Sequence, residues 1–263
     1  MTPEPVAFLD SGVGGLPYLA HARKHLQSER FVYVADRENF PYGEKSRTAI
    51  IAAALSVAGR LLEREHPRLV VVACNTMSVV ALADLRARFP VPFVGVVPAV
   101  KPAASLSRRK RVGVLATRQT VEGDYLRNLI VQHASGCDVV SLSSSALVDF
   151  VENGLFQASA AEREERVRQE VDRFRSEGID ALVLGCTHFL HLETEFRSLL
   201  EAEAITLVDS REGVARQVSR LLQGHPSATS VLPDSFYVTG EHPSDDRYQW
   251  FARQFGLQLR GRL

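Results

Sequence analysis

The chain has 263 residues, 45% hydrophobic and 24% charged, with 31 Lys+Arg against 31 Asp+Glu. That length supports one large or two modest globular domains, and the charge balance argues against a broad basic face for nucleic acid. No apolar run approaches the ~20 residues that cross a bilayer and no signal peptide is visible, while three cysteines argue against a disulfide scaffold, so the expected setting is a reducing cytoplasm.

In chain order, residues 6–9 read as a strand, followed by the turn Asp10-Ser11-Gly12-Val13-Gly14-Gly15 and a helix to about residue 26. Residues 31–35 give a second strand ending at Asp36, and the loop after it contains Pro41-Tyr42-Gly43. Ser46 caps a helix whose apolar residues Ile50, Ala54, Leu55, Ala58, Leu61 and Leu62 recur at helical spacing. Residues 69–73 form a buried strand that ends on Cys74. Asn75 and Thr76 follow, and a helical pattern starts near Ser78 and stops before Phe89-Pro90. Residues 91–97 make another strand.

Arg108-Arg109-Lys110-Arg111 reads as a solvated turn rather than a phosphate contact. The second half gives a strand from Val112, a helix over 121–133, a strand over 137–142 and a helix over 147–154 that ends at Gly154. A charged helix spans 160–177, and a strand from Ala181 ends on Cys186. Residues 205–208 form a strand, 213–222 a helix closed by Gly224, 225–229 a polar loop and 236–239 a strand. Tyr248, Phe251 and Phe255 form the apolar stripe of a terminal helix. Strands alternating with helices imply a parallel α/β architecture.

One pattern occurs twice. An apolar strand ends on a cysteine in Val72-Ala73-Cys74-Asn75-Thr76 and again in Leu184-Gly185-Cys186-Thr187-His188. Each is preceded by a strand with polar residues at its end, at Asp10-Ser11 and at Thr117. Asp10 lies 64 residues before Cys74, and Thr117 lies 69 before Cys186. An internal duplication with one thiol per half accounts for this. Thiols at strand ends beside helix N-termini sit where open α/β sheets bind small molecules. Cys137 has no motif around it and reads as structural.

With both cysteine motifs in place, the chain resembles the glutamate racemases of the cofactor-independent aspartate/glutamate racemase superfamily. The resemblance rests on Asp10-Ser11-Gly12-Val13-Gly14-Gly15, Pro41-Tyr42-Gly43, Ala73-Cys74-Asn75-Thr76, Gly95-Val96-Val97-Pro98-Ala99, Ala116-Thr117-Arg118-Gln119-Thr120 and Gly185-Cys186-Thr187-His188, in that order. Met77 stands where the family usually has Ala, Arg37-Glu38 follow Asp36 in place of small polar residues, and Leu190-His191-Leu192 replaces a Pro-containing continuation.

The resemblance implies two pseudo-twofold-related α/β domains with mainly parallel sheets, residues 1–97 plus 209–263 and residues 98–208, with the active site in the cleft between them. It implies a cytoplasmic, commonly dimeric enzyme that interconverts L- and D-glutamate for peptidoglycan, without pyridoxal phosphate or a metal. Inversion at an α-carbon needs one acid–base group on each face. By resemblance, Cys74 takes the proton from D-glutamate and Cys186 from L-glutamate. Asp10 works beside Cys74, and Glu152 and His188 beside Cys186. Asp10, Ser11, Asn75, Thr76, Thr117, Thr120, Thr187 and His188 bind the substrate's polar groups, and Tyr42 and Gly43 receive its side-chain carboxylate. Asp36 is a further acid of the same group.

Asp10 could cap the first helix, and Thr120 could be a helix N-cap alone. Cys186, His188 and His191 do not have a typical zinc spacing, so no metal is expected. A related racemase of aspartate, a cysteine hydrolase using His188 as base, and a non-catalytic amino-acid-binding protein are the alternatives to a glutamate racemase.

Overall fold

The computed structural model describes residues 4–223, 232–241 and 245–263. Strands β1 (Val6–Asp10), β2 (Phe31–Ala35) and β3 (Leu69–Val72) are buried along their whole length. Such unbroken apolar runs belong to parallel sheets covered on both faces. Helices α1 (Leu16–His25), α2 (Arg47–Glu65) and α3 (Asn75–Arg88) connect them and lead to β4 (Phe93–Gly95). The Ser46 hydroxyl accepts from the Ala49 N–H and starts α2, whose Ile50, Ala54, Val57, Ala58 and Leu61 face the core.

The chain continues through α4 (Val100–Leu106), β5 (Arg111–Ala116), α5 (Arg118–Glu122), α6 (Asp124–His133) and β6 (Asp138–Ser143). Next come α7 (Ser145–Asp149), α8 (Ala160–Arg175), β7 (Ala181–Leu184), α9 (Glu193–Glu201) and β8 (Thr206–Val208). It closes with α10 (Arg211–Leu222), β9 (Ser235–Val238), α11 (Asp246–Gln254) and β10 (Gln258–Arg262). Two compact units result, Met1–Val96 with Arg211–Leu263, and Val97–Ser210. The first holds a six-stranded sheet in the order β10-β9-β2-β1-β3-β4, the second a four-stranded sheet in the order β6-β5-β7-β8. Among the described residues every strand pairing is parallel.

The duplication read in the sequence is visible in this topology: β2-β1-β3-β4 and β6-β5-β7-β8 are the same arrangement. Leu9 pairs with Val72 in one sheet and Leu115 with Leu184 in the other. One residue further, the Ala73 N–H donates to the Leu9 carbonyl and the Gly185 N–H to the Leu115 carbonyl, both at 2.7 Å. Gly15 is needed beside this point. A Cβ there would stand 2.5 Å from Ala73 Cβ and 3.1 Å from its carbonyl oxygen, so only glycine lets the first turn lie against the residue before Cys74.

Several elements differ from the sequence reading for identifiable reasons. The strand before Cys74 ends at Val72 and the helix starts at Asn75, because Cys74 is the helix N-cap rather than the last strand residue. The helix read over 121–133 is two helices, broken where Gly123 takes an extended conformation (ψ 147°). The 91–97 strand shortens to Phe93–Gly95, since the Val96 N–H donates to the Ser78 hydroxyl instead of continuing a ladder. The 147–154 helix is α-helical only to Asp149 and closes as a π turn over Phe150–Gly154. Gly224 and the loop over 225–229 lie outside the described residues.

The basic run does form a turn. The Arg108 and Arg109 backbone N–H groups donate to the Asp180 carboxylate at 2.7 Å each, and Arg111 pairs with Asp138 at 3.1 Å. Among the described residues no helix is long and apolar enough to cross a membrane.

Candidate active site

In each sheet the chain passes from its first strand to a neighbour on one side, then returns to pair on the other. The carboxyl ends of β1 and β3, and of β5 and β7, are therefore switch points, where open parallel sheets expose loops to ligands. Counting two residues beyond the last pairs leads to Ser11 and Cys74 in the first unit, and to Thr117 and Cys186 in the second. The register thus aligns Ser11 with Thr117. The sequence spacing alone matched Asp10 to Thr117, one residue out.

At the first switch point Cys74 is 6% exposed. Its sulfur accepts the Met77 N–H at 3.5 Å, as an N-cap side chain does, and lies 3.7 Å from the Ser11 hydroxyl. Ser11 in turn donates to Asp10 Oδ1 at 3.0 Å, and the Gly12 N–H donates to the same oxygen at 3.1 Å. Asp10 does not cap α1. The N-cap there is Gly15, with no side-chain bond, so the carboxylate orders the turn beside the thiol instead. Tyr33, absent from the sequence reading, fixes that turn by donating to the Gly12 carbonyl at 2.8 Å and accepting from the Gly15 N–H at 3.0 Å.

Asn75 and Thr76 are buried in the first turn of α3. The Asn75 amide nitrogen donates to the Val96 carbonyl at 3.4 Å. Its Oδ1 is buried with no hydrogen-bond partner, an acceptor that costs free energy unless something donates to it. Ser78, also absent from the sequence reading, ties β3 to β4 by donating to the Val72 carbonyl and accepting from the Val96 N–H.

Tyr42, 1% exposed, shares a core cluster with Cys74 and Met77. Its hydroxyl donates to Asp36 Oδ2 at 2.6 Å, so that hydroxyl is committed inside the protein, while Gly43 continues the short 3-10 turn Tyr42–Glu44. Asn39 and Thr239 also donate to the Asp36 carboxylate, Thr239 at 2.6 Å. Burial pushes the Asp36 carboxyl up, and the bonds from Thr239, Tyr42 and Asn39 pull it part of the way back. Burial, reinforced by the Asp36 charge, pushes the Tyr42 hydroxyl far up, so it stays protonated. Thr239 lies 203 residues from Asp36 in sequence, and nothing local to it signals this role.

At the second switch point Cys186, 5% exposed, precedes the 3-10 segment Thr187–Leu192. Its sulfur lies 3.9 Å from His188 Nδ1, and His188 Nε2 is 3.1 Å from Glu152 Oε2. Glu152 is fully buried in the π turn that follows α7. π turns of this kind are frequent at functional sites. Thr117 is the N-cap of α5: its oxygen accepts from the Thr120 N–H at 3.4 Å and its hydroxyl donates to Thr120 Oγ1 at 3.0 Å. The cap is Thr117, not Thr120. Thr187 is buried beside Cys186.

Cys137 is half-buried, its sulfur 4.0 Å from the Ala104 carbonyl. Cys186, His188 and His191 do not gather as a metal-ligand set among the described residues. The two switch points therefore each bring a buried thiol together with polar groups suited to a small, charged ligand, but surround it differently. Cys74 has a helix N–H and a hydroxyl, whereas Cys186 has an imidazole backed by a carboxylate.

The Asp/Glu/hydantoin racemase family profile matches residues 18–218. The glutamate racemase of Treponema pallidum is 42% identical over 259 residues, covering 98% of this chain and 96% of that protein. The glutamate racemase of Shewanella sp. strain MR-7 is 41% identical over 232 residues, covering 88% of this chain and 84% of that protein. The crystal structure of Escherichia coli glutamate racemase with L-glutamate and the activator UDP-MurNAc-Ala superposes with a TM-score of 0.91 at 35% identity, over 99% of this chain and 98% of that one. With the profile spanning most of its length and relatives of this similarity at nearly full coverage, the chain belongs to the Asp/Glu/hydantoin racemase family and is an isomerase.

Proposed function

We propose that this chain interconverts L-glutamate and D-glutamate without pyridoxal phosphate, using Cys74 and Cys186 as its two proton-transfer groups. The observation that carries this reading is the repeated placement of one buried thiol, two residues past the last strand pair, at the switch point of each sheet. The substrate assignment draws on the relatives, which are glutamate racemases at about 40% identity over most of their length.

In this mechanism Cys74 deprotonates D-glutamate and Cys186 deprotonates L-glutamate, each returning a proton in the other direction. Asp10, through Ser11, orders the surroundings of Cys74. Glu152 orients His188, which holds Cys186. The α-carboxylate, on which carbanion charge develops, is stabilised by N–H and hydroxyl groups at the strand ends, from Ser11, Thr76, Thr117, Thr120 and Thr187. The unpartnered Asn75 Oδ1 suits the substrate ammonium, a donor that would satisfy it. Since the Tyr42 hydroxyl is bound to Asp36, the backbone around Tyr42 and Gly43 is the part left to receive the side-chain carboxylate. The product serves peptidoglycan synthesis in the cytoplasm, and the working form is a homodimer.

The test is NMR of L-glutamate in D2O with purified protein and no added cofactor, followed by polarimetry on the same sample. Loss of the α-proton signal together with decay of rotation is expected. Cys74→Ala and Cys186→Ala should each abolish racemization, and full activity in either variant would sink the two-thiol mechanism. If glutamate is inert while aspartate exchanges, the related aspartate racemase is the correct reading.

A further inference from the structure

In the first unit α1 packs against α10. His21 and His25 stand one turn apart on α1, with ring centroids 5.0 Å apart. Glu212 lies in the first turn of α10 and directs one oxygen at both rings. Its Oε2 is 3.1 Å from His21 Nε2 and 3.6 Å from His25 Nε2. One ligand atom from each of the three residues falls within 4.8 Å of the others.

The His21–Glu212 contact is a hydrogen bond, and the same spacing also suits two donors that share one metal ion. A tetrahedral zinc ion holds nitrogen and oxygen donors at about 2.0–2.1 Å, which places the donors about 3.3–3.4 Å from one another. The two measured separations bracket that value. Histidines four apart on a helix are the spacing that lets two imidazoles share one metal. The other Glu212 oxygen, Oε1, lies 3.8 Å from Arg216 Nε, an outer contact that steadies the carboxylate. The side chains are 25%, 42% and 54% exposed for His21, His25 and Glu212, so an ion can enter and keep a water as its fourth ligand.

We propose that His21, His25 and Glu212 form a binding site for Zn2+ that staples α1 to α10. Two imidazoles with one carboxylate select zinc and its late first-row neighbours over Mg2+ and Ca2+, which take oxygen ligands. No metal is expected from the sequence, because the spacing of Cys186, His188 and His191 is not that of a zinc site and His21, His25 and Glu212 are not all neighbours along the chain. His21 and Glu212 are 191 residues apart and meet only in the fold. Glu212 is the second residue after the chain re-enters the first unit, so the ion would fasten that re-entry point to the start of the same unit. The proposal does not depend on the racemase chemistry.

The experiment titrates Zn2+ into the full chain by calorimetry and, in parallel, Co2+ as a spectroscopic probe. One equivalent should bind, with the ligand-field bands of tetrahedral cobalt and no thiolate-to-cobalt charge transfer. At a hundredfold excess over Kd, Zn2+ should raise the melting temperature by about 5–10 °C. His25→Ala and Glu212→Gln should each weaken binding at least about tenfold. His25→Ala leaves the His21–Glu212 bond in place, and its unchanged melting temperature without Zn2+ shows that it folds. Wild type and His25→Ala binding Zn2+ alike would overturn the proposal. So would a thiolate charge-transfer band, which would place the metal on Cys74, Cys137 or Cys186.

Discussion

A carboxylate as deeply buried as Glu152 costs several kcal/mol unless a partner compensates it. His188 Nε2, 3.1 Å away, is that partner, and the pairing fixes which ring nitrogen faces Cys186. Glu152→Gln keeps the shape and removes the charge that holds the ring. Enantiomers are isoenergetic, so kcat/KM must fall equally in both directions, by about 10²–10³-fold. The asymmetry appears in the isotope effect: if Cys186 takes the proton of L-glutamate as proposed, the effect of α-deuteration on kcat/KM should rise more for L-glutamate than for D-glutamate. Equal isotope effects would place Glu152 outside the Cys186 half-reaction. At this scale the sequence was unevenly informative. Cys74 and Cys186 stand out because one pattern is written twice, and His188 is two residues from its sulfur. Glu152 came from resemblance alone, since it reaches His188 from another element. Tyr33, Ser78 and Thr239 went unread because their roles are hydrogen bonds to groups distant in sequence.

Elements with their own signals were legible: Ser46 before an apolar repeat, Phe89-Pro90 after one, and unbroken β-branched runs. Elements set by tertiary contacts were not. Nothing in residues 100–106, with Pro102 among them, announces α4, and β10 alternates exposed and half-buried residues at a sheet edge. The turn before β5 is held in the same way, by a residue far along the chain. Asp180 accepts from the Ser107 hydroxyl and from the Arg109 and Arg108 N–H groups. Burial raises its carboxyl, but those three donors outweigh it and hold it below the usual carboxylate range. The stabilisation is present above the unfolded carboxyl value, near 3.9, and is lost as pH falls through the depressed folded value. Asp180→Asn should therefore melt several degrees below wild type at pH 7, with the gap closing in strong acid. A gap constant down to pH 2 would mean that the charge contributes nothing.

At the scale of the molecule, the two units differ in how the chain supplies them. Val97–Ser210 is one continuous segment with its own four-stranded sheet, whereas the other unit draws β9, β10, α10 and α11, among the described residues, from beyond Ser210. A fragment of residues 97–210 should unfold cooperatively by heat or urea. Truncation after residue 210 strips β9 and β10 from the six-stranded sheet, leaving β2 as a bare edge, and should yield insoluble protein or a loss of cooperative unfolding. A well-folded, cooperative 1–210 fragment would contradict this.

The strand order also dictates a timetable for synthesis. β2 is complete at Ala35, yet its partner β9 begins at Ser235, about 200 residues later. At 5–20 residues per second a ribosome needs roughly 10–40 s to deliver it. For that interval the nascent chain carries an apolar strand with one open side, while the second unit is already free to close. Slow translation anywhere between Ala35 and Ser235, residues 97–210 included, lengthens that interval and should lower the yield of active protein, and a chaperone that covers the open edge of β2 should restore it.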